Sequence, residues 1–580
     1  MAILGVDVGG TFTDAVFLDG DVLRTAKVPT AQRQEESVLA AARAVVGEAS
    51  VSRFAHGTTV ATNALLERRG AVTAFVGNEG FEHLLHTRRQ ARAHLYRLCA
   101  PWPEPLVPLA RCVGVPGRIG PEGELAPLGD VPALPDGVEA VAVCLLFSFR
   151  DPAHEQEVAR VLRERHPGVH VVASHEVAPE FREYERASTA AADAYLAPVT
   201  ARYLRALDAA ATAAGLPSPL VMLSSGGVVP VEEAAAHPAA ILVSGPAGGV
   251  VGAGLLARRA GFVDAIAFDM GGTSTDVCLL PGGRAVRVAE RELGGFPIRL
   301  PTVDLHTVGA GGGSLVRVDA GGAVRVGPES AGAWPGPACY GRGGGPTVTD
   351  ANLLLGRLPA ELPGGLVLDV DAARAAMAGV DPAAVLEVVN AEMLRALRVV
   401  SVERGHDPRD FALVAFGGAG PLHACALAAE LGIGAVLVPA AAGVLSALGL
   451  VASDLRRDRV TSYVRPLSEI ARDTLSQAGE VDLRYRGQSF ELTVPLGEDV
   501  AESFHRAHEE RYGYADRSRE IELVAVRTAE IEPGPELSLL ATDRHKVSGP
   551  SVVELDGATC WVPDGWHGET NDDGTLVLTR

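Results

Sequence analysis

The sequence predicts an α/β protein of two related lobes, in which mixed sheets are flanked by helices and a smaller α+β part follows. The first reason is the length of 580 residues, because a single hydrophobic core stops growing at roughly 250–300 residues. The second is an eight-residue motif that occurs twice, and the third is the order of glycine turns after it. From the motif spacing we expect lobes at 1–200 and 201–455 and a C-terminal domain at 456–580.

The repeated motif reads Asp7-Val-Gly-Gly-Thr-Phe-Thr-Asp14 and Asp269-Met-Gly-Gly-Thr-Ser-Thr-Asp276. Each copy lies between two apolar runs and is therefore predicted to be a β-hairpin with a glycine turn. Glycine lets backbone N–H groups approach phosphate oxygens, and a carboxylate supplies the oxygen ligand that Mg²⁺ prefers. One copy alone is explained as well by an ordinary hairpin turn. Two matched copies favour a site for a polyphosphate and its cation.

Three further segments follow in a consistent order. A helix of small residues is predicted to begin at 244–252, and a second one at 443–449. Small residues at near-helical spacing let two helices pack closely, which suits a hinge between lobes. Between them, Phe411 to His423 is predicted to form a buried strand, a Gly417-Gly418 turn and the start of a helix. A helix N-terminus behind a glycine turn suits a nucleotide.

Composition excludes several classes of protein. The formal net charge of −21 argues against nucleic acid or an anionic membrane as a partner. The only lysines are Lys27 and Lys546, so no P-loop Gly-Lys-Ser/Thr element exists. Seven cysteines without a C-x-x-C pair indicate a reduced compartment, and we expect a cytoplasmic protein without a signal peptide. The uncharged stretch 431–453 contains Pro439 and is predicted as strand, turn and buried helix instead of a membrane span.

The motif order resembles the actin, sugar-kinase and heat-shock-chaperone ATPase superfamily, whose members have two ribonuclease H-like lobes. The amino-acid sequences of the motifs are more specific than their order, and they resemble the A-subunit type of the hydantoinase/5-oxoprolinase family. The resemblance runs through nearly the whole chain and is carried by nine segments: LGVDVGGTFTD, HGTTVATNALLERRG, LLFSF with His154-Glu155, PEFREYERAST, SGPAGG, FDMGGTSTD, TVGAGGGS, GPACYGRGG with TVTDAN, and FGGAGPLHA.

The resemblance implies an ATP- and Mg²⁺-dependent enzyme that phosphorylates the amide oxygen of a cyclic amide such as a hydantoin, 5-oxoproline or a related lactam. Phosphorylation abolishes amide resonance and opens the ring to water. One alternative is the ATP-using subunit of an acetone-type ketone carboxylase, and another is an ATP-driven protein-binding module. The resemblance also implies a separate B-type subunit and a hetero-oligomer.

The candidate site residues fall into four groups. Asp7 and Asp269 are expected to hold the cation and to be essential for catalysis. Phosphate contacts are expected from both turns, with help from a third glycine loop: Gly9, Gly10, Thr11, Thr13, Gly271, Gly272, Thr273, Ser274, Gly311 and Gly312. Gly417, Gly418 and Gly420 are expected to meet the nucleoside. His56, Thr58, Thr59 and Asn63 are the substrate candidates, although a lone His is more often structural.

One charged segment receives no catalytic role from its pattern. Phe181-Arg-Glu-Tyr-Glu-Arg186 alternates charges at helical spacing. Such spacing predicts a salt-bridged helix face.

Overall fold

The computed structural model describes residues 2–97, 99–362, 366–471, 475, 479–539 and 545–580. Two large mixed sheets with helices packed on them dominate the described residues. The predicted α/β class is confirmed.

The first large sheet has ten strands in the described part of the chain. From one edge to the other they are Val22–Pro29, Phe12–Asp19, Ala2–Val8, Arg53–Thr58, Leu220–Met222, Val228–Pro230, Leu455–Pro466, Ile521–Glu532, Glu480–Tyr485 and Leu492–Pro495.

The second large sheet has eight strands among the described residues. In spatial order they are His306–Val308, Thr275–Leu280, Ala265–Met270, Ala412–Phe416, Ala435–Val438, Leu576–Thr579, His567–Thr570 and Lys546–Ser548.

The first five strands of each sheet pair in the same order and directions. In each sheet three antiparallel strands are followed by two that run parallel to the third. The third strand, Ala2–Val8 or Ala265–Met270, is nearly fully buried in both sheets. The two DxGGT turns therefore leave corresponding strands at corresponding ends.

A smaller sheet has four parallel strands. In sequence, these strands fall between the strands Arg53–Thr58 and Leu220–Met222 of the first large sheet. The four strands, in spatial order, are His170–Ala173, Ala140–Val143, Thr73–Asn78 and Cys112–Val115. Six two-stranded ribbons complete the described strands: Arg118–Gly120 with Gly123–Ala126, Arg287–Val288 with Thr302–Val303, Arg291–Leu293 with Phe296–Ile298, Ser314–Val318 with Val324–Ser330, Glu361–Leu362 with Leu366–Val367, and Ser551–Leu555 with Ala558–Val562.

The helices are mostly short, with one long exception that spans 31 residues. The described α-helices are Gln34–Val46, Val60–Leu66, Leu84–Thr87, Ala153–Arg165, Ser174–Val177, Glu183–Ala213, Val231–Ala236, Ser244–Arg259, Val348–Leu354, Val370–Ala376, Pro382–Val400, Gly420–Leu431, Leu445–Ala452 and Val500–Tyr512.

The two helices of small residues cross at very short range, as their composition predicts. A methyl group added at Gly248 would lie 2.9 Å from the Ser446 carbonyl oxygen, and one at Gly252 would lie 3.0 Å from that of Leu445. Only glycine leaves room for such a backbone approach. These helices connect the two large sheets at the level of the repeated turns.

The uncharged stretch 431–453 forms the strand Ala435–Val438, a short turn and the buried helix Leu445–Ala452, as predicted. Within the described ranges, no helix is both long and apolar enough to cross a bilayer.

The segment after residue 455 contributes to both large sheets. Leu455–Pro466 and Ile521–Glu532 extend the first sheet, whereas Leu576–Thr579 pairs with Ala435–Val438 in the second. Part of the predicted domain at 456–580 lies outside the described residues. Its boundary, like the one at residue 200, stays a prediction.

A buried ionic network joins segments far apart in sequence. Arg299, only 4% exposed, contacts Glu180 at 2.8 Å and Glu491 at 3.0 Å. Arg527 contacts the same Glu180 at 3.0 Å and Asp482 at 2.7 Å. Buried charges are tolerated only when they are paired and hydrogen-bonded in this way.

The charged segment 181–186 borders this network, and its predicted salt bridges are present at Arg182 with Glu491 and at Glu185 with Arg89. Arg182 donates to Glu491 at 2.5 Å, and its φ of 83° marks the start of the long helix. Arg186 is fully buried and donates to the Leu145 carbonyl at 2.7 Å. Helical spacing thus predicts the ion pairs, although it does not report which face of a helix is covered.

Candidate functional site

Both copies of the repeated motif form hairpins with the same register and the same turn bond. Asp7 lies opposite Asp14, and the Gly9 N–H donates to the Phe12 carbonyl at 2.9 Å. In the second copy Asp269 lies opposite Asp276. There the N–H at 271 donates to the carbonyl at 274 over 3.0 Å. The predicted hairpins are confirmed.

Each first aspartate sits against glycines that leave space for its carboxylate. A methyl group at Gly57 would lie less than 3.0 Å from Asp7 Oδ1, and one at Gly245 would lie 3.3 Å from the same atom. Gly417 stands in the equivalent relation to Asp269 and also has a φ of +79°. These glycines are therefore part of the site through the room they leave.

The carboxylates repel one another in a half-buried setting. Burial, followed by the charge of Asp14, raises the pKa of Asp7 to about 7. Burial, followed by the charges of Asp276 and Asp7, raises the pKa of Asp269 to about 8. Because Asp7 and Asp14 both act on Asp269, the two hairpins bring their carboxylates into one electrostatic site.

The second aspartates have different partners at equivalent places. Lys27 lies opposite Asp14 in the neighbouring strand and forms an ion pair with it at 2.7 Å. Thr307 lies opposite Asp276 in the corresponding strand and donates to its carboxylate at 2.5 Å. Both second aspartates thus have a local partner on the neighbouring strand.

Lys27 also connects the two halves of the molecule. Its ammonium group donates to the Gly443 carbonyl at 3.0 Å, next to the second small-residue helix. The sequence reasoning assigned no role to this residue. The scarcity of lysine, with two in 580 residues, was the signal that singled it out.

The outer residues of both turns are accessible. Gly10, Gly272 and Thr273 are exposed, while Thr11 and Ser274 are half-buried beside them. Nothing lies within 4 Å of a methyl group built at Gly10 or Gly272. The turn tips therefore offer open backbone to a ligand.

Thr13 differs from these residues because its side chain points into the protein, and its phosphate contact stays a prediction. The side chain is fully buried, and its hydroxyl is 3.1 Å from that of Thr30. Thr30 in turn donates to the Gly9 carbonyl at 3.0 Å. Thr13 thus stabilises the first turn through its contact with Thr30.

The loop at 309–314 supports the second turn in a similar way. Gly311 and Gly312 are buried, and their phosphate contact stays a prediction. The Gly312 N–H donates to the Gly271 carbonyl at 3.0 Å, and the next amide donates to the Gly272 carbonyl at 2.7 Å. The amides are therefore occupied by the turn itself.

The predicted nucleoside glycines lie at the start of the helix Gly420–Leu431. Gly418 is exposed, and the Ala419 N–H donates to the Met270 carbonyl at 2.9 Å. Gly420 is buried, which makes it a packing residue. The helix N-terminus is thus fixed directly beside the second turn.

The substrate candidates divide into two buried and two accessible residues. His56 and Thr58 are 0% and 1% exposed, and their substrate contact stays a prediction. His56 Nδ1 donates to the Val6 carbonyl at 3.0 Å, and its Nε2 accepts from the Tyr203 hydroxyl at 2.9 Å. Burial lowers the pKa of His56 to about 4, so the ring is neutral. Thr59 and Asn63 are half-buried.

The residues present fit a divalent cation and a phosphate chain. Asp7 Oδ1 is buried without a hydrogen-bond partner among the described residues. An oxygen-rich, acidic set that lacks donors matches Mg²⁺, which keeps a partly hydrated oxygen shell. No cluster of three or more potential ligands among His, Cys, Asp and Glu exists in the described ranges. The cation would therefore be held by the aspartates together with oxygen atoms from water or phosphate.

Comparison with known families decides the affiliation. The hydantoinase/oxoprolinase N-terminal region matches residues 3–166, and the hydantoinase/oxoprolinase domain matches residues 186–459. The chain belongs to the hydantoinase/oxoprolinase family. Family members among curated proteins include the caprolactamase subunit alpha of Pseudomonas jessenii, which is 34% identical over 99% of both chains. The 5-oxoprolinase 1 of Arabidopsis thaliana is 34% identical over 97% of this chain and 52% of its own length.

Solved structures agree with this family membership. The ATP-dependent caprolactamase from Pseudomonas jessenii superposes with a TM-score of 0.86 at 31% identity, covering 100% of this chain and 99% of that one. The nucleotide-free acetone carboxylase has a TM-score of 0.78 at 23% identity, with 99% of both chains covered. The latter likeness shows a shared fold.

Proposed function

We propose that this chain is the ATP-binding subunit of an ATP-dependent cyclic amide hydrolase that activates a lactam or hydantoin carbonyl by phosphorylation. The observation that carries the proposal is the pair of matched turns, which bring Asp7 and Asp269 into one acidic site. Caprolactamase and 5-oxoprolinase among the relatives support the substrate class.

In this proposal the two turns hold the phosphates and Asp7 and Asp269 hold Mg²⁺, directly or through water. The exposed amides near Gly10 and Gly272 would bind phosphate oxygens, and the N-terminus of the helix at 420–431 would face the nucleotide. When bound, Mg²⁺ would neutralise charge on the transferring phosphoryl group. The residues themselves contribute alignment, which is the main demand of phosphoryl transfer.

The finer architecture is part of the same proposal. The identical pairing order of five strands in each sheet supports two ribonuclease H-like lobes that close on the nucleotide. The lobes are proposed at 1–200 and 201–455, except that Leu220–Met222 and Val228–Pro230 extend the first sheet. We further propose a cytoplasmic enzyme that works with a separate B-type subunit in a hetero-oligomer, since the caprolactamase relative is named a subunit.

The test is Mg²⁺-dependent ATP hydrolysis by the purified chain, alone and with its co-purified partner. Hydantoin, 5-oxoproline, caprolactam and acetone with bicarbonate would be compared. Stimulation by a cyclic amide supports the proposal, whereas stimulation by the ketone alone supports a carboxylase instead.

The site assignment is tested with Asp7→Asn and Asp269→Asn. Each variant keeps the size of the side chain and removes the charge, so we expect ATP turnover to fall at least about 100-fold with the fold intact. Turnover at the wild-type rate by either variant contradicts the assignment.

A further inference from the structure

Lys27 lies in a row of charged side chains that crosses the first sheet. Asp7 is paired in register with Asp14 on the neighbouring strand, and Asp14 is paired with Lys27 on the strand after it. Directly paired residues of antiparallel strands project from the same face of a sheet. The ammonium group of Lys27 therefore lies on the face that carries the Asp7 carboxylate, the proposed ligand of Mg²⁺.

The ammonium group has three N–H donors, and two of them have partners. One donates to Asp14 Oδ1 at 2.7 Å, and another donates to the Gly443 carbonyl at 3.0 Å. The aromatic ring of Phe12, at the end of the first turn, has its centre 5.5 Å from the nitrogen. The described part of the chain supplies no third acceptor, and the side chain is 30% exposed. The third N–H bond is therefore available to a ligand.

The contact with Gly443 places the ammonium group between the two phosphate turns. Gly443 follows Ala442, whose carbonyl accepts a hydrogen bond from the Gly417 N–H at 2.9 Å. Gly417 in turn lies against the carboxylate of Asp269. Lys27 thus connects the first hairpin with the segment that supports the aspartate of the second.

The electrostatics of the site agree with this position. Burial raises the pKa of both Asp7 and Asp269 most strongly, and the positive charge of Lys27 acts against it on each of them. The ammonium group is therefore close to both proposed ligands of Mg²⁺. A phosphate chain held by that cation would come within reach of the ammonium group.

The second sheet shows that an aspartate in this place does not need a lysine. The equivalent row there is Asp269, Asp276 and Thr307. The Thr307 hydroxyl donates to Asp276 at 2.5 Å, and Arg291 donates to that hydroxyl at 3.3 Å. Asp276 has no ion pair within the described ranges. The full charge of Lys27 thus exceeds what the turn itself requires.

The choice of lysine also fits a phosphate ligand. Arginine supplies nearly all the positive charge of the chain, and the other lysine, Lys546, is 88% exposed. An ammonium group is a compact point charge with three donors, whereas a guanidinium group is a planar fork. The compact group can contact Asp14, Gly443 and a phosphate oxygen at the same time.

We propose that Lys27 is a further catalytic residue, whose third N–H bond donates to the terminal phosphoryl group of ATP. This inference rests on the proposed function. During transfer the bond between the γ-phosphorus and the bridging oxygen breaks, and its electron pair stays on ADP. A lone pair of the substrate carbonyl oxygen forms the new bond to phosphorus. Lys27 keeps its protons and stabilises the negative charge on the transferring group.

The experiment compares Lys27→Met with Thr25→Val as its matched control. Thr25 lies on the same strand and donates to Asp556, whose carbonyl accepts from the Gly443 N–H at 3.3 Å. Thr25→Val therefore weakens the same junction at Gly443 without removing a charge. Binding of the Mg²⁺ complexes of ADP and of a nonhydrolysable ATP analogue to the intact chain is measured by calorimetry. Circular dichroism checks that each variant is folded.

Lys27→Met should bind the ATP analogue about 10- to 100-fold more weakly than the wild type, because it lacks one charge-assisted hydrogen bond. Its affinity for ADP, which has no terminal phosphoryl group, should change much less. Lys27→Arg keeps the charge and should bind the analogue more tightly than Lys27→Met does. Thr25→Val should bind both nucleotides like the wild type.

Three results would overturn the proposal. The first is an equal loss of affinity for the analogue and for ADP in Lys27→Met, which indicates a structural role at the junction. The second is an equally large loss of the analogue in Thr25→Val. The third is a folded Lys27→Arg variant that binds the analogue no better than Lys27→Met.

ATP hydrolysis by the same proteins separates this inference from the proposed function. If Lys27→Met loses affinity for the analogue alone and no cyclic amide stimulates hydrolysis by the wild type, the role of Lys27 stands and the hydrolase function fails. If a cyclic amide stimulates hydrolysis equally in the wild type and in Lys27→Met, the hydrolase function stands and the role of Lys27 is overturned.

Discussion

The substitution Gly57→Ala tests the geometry of the site without changing a charge. Gly57 lies in the strand next to Asp7, directly opposite it in register. A methyl group here would stand less than 3.0 Å from Asp7 Oδ1, a separation that real Cβ atoms essentially never show. The carboxylate must therefore move.

The structure also sets the size of the effect. Ordinary contact begins at 3.4 Å, so Oδ1 must retreat by about 1 Å from a methyl group at Gly57. A displacement near 1 Å in a phosphoryl-transfer site costs about 100-fold in rate. We therefore expect kcat/KM for ATP to fall roughly 10- to 100-fold, which corresponds to about 1.4–2.7 kcal/mol.

The assay is steady-state Mg²⁺-dependent ATP hydrolysis with the stimulating substrate. The control is Gly168→Ala, because a methyl group at Gly168 meets nothing within 4 Å and its backbone needs no positive φ. Both variants should fold, as judged by circular dichroism. If Gly57→Ala turns over ATP like Gly168→Ala, then the position of the Asp7 carboxylate does not matter and the reasoning is refuted.

Two further predictions concern the charges around the turns. The folded protein retains the Asp7 and Asp269 protons up to pH values of about 7 and 8, whereas the unfolded chain loses them near 3.8. Without metal, the free energy of unfolding should therefore fall as the pH rises from about 4 to 8. At about 100 Kd, Mg²⁺ adds about 2.7 kcal/mol, so it should raise the Tm by about 2 °C at pH 8 and much less at pH 5. Equal shifts at both pH values would contradict this. Lys27→Met should lower the free energy of unfolding by about 1–3 kcal/mol, because Asp14 loses its ion-pair partner and the Gly443 carbonyl loses its hydrogen-bond donor. Lys546→Met, at a side chain that is 88% exposed, should change little, and equal losses in urea melts of both variants would argue against the bridge.

Sequence reasoning predicted those parts of the site that depend on local pattern. The repeated motif between apolar runs predicted two hairpins, and their register and turn bonds agree. Small-residue spacing likewise predicted the close crossing of the helices at 244–259 and 445–452. In both cases the backbone needs glycine at fixed positions, so the sequence carries the information directly.

Local pattern did not predict which way individual side chains point. Thr13 and His56 belong to polar motifs, yet strand alternation turns the first under its turn and the second toward Val6. Gly57 was passed over because its role depends on a neighbouring strand 50 residues away.

The buried ionic network around Arg299 has a consequence for how this chain folds. Its contacts join residues separated by 119 and 192 positions, and Arg527 reaches Glu180 across 347. Contacts at such separation carry a large loop-closure entropy and form late. Until then these arginines and glutamates remain hydrated, so an early intermediate gains nothing by burying them. The network is therefore completed only after the strands Glu480–Tyr485 and Ile521–Glu532 of the first sheet have met the segments around Glu180 and Arg299.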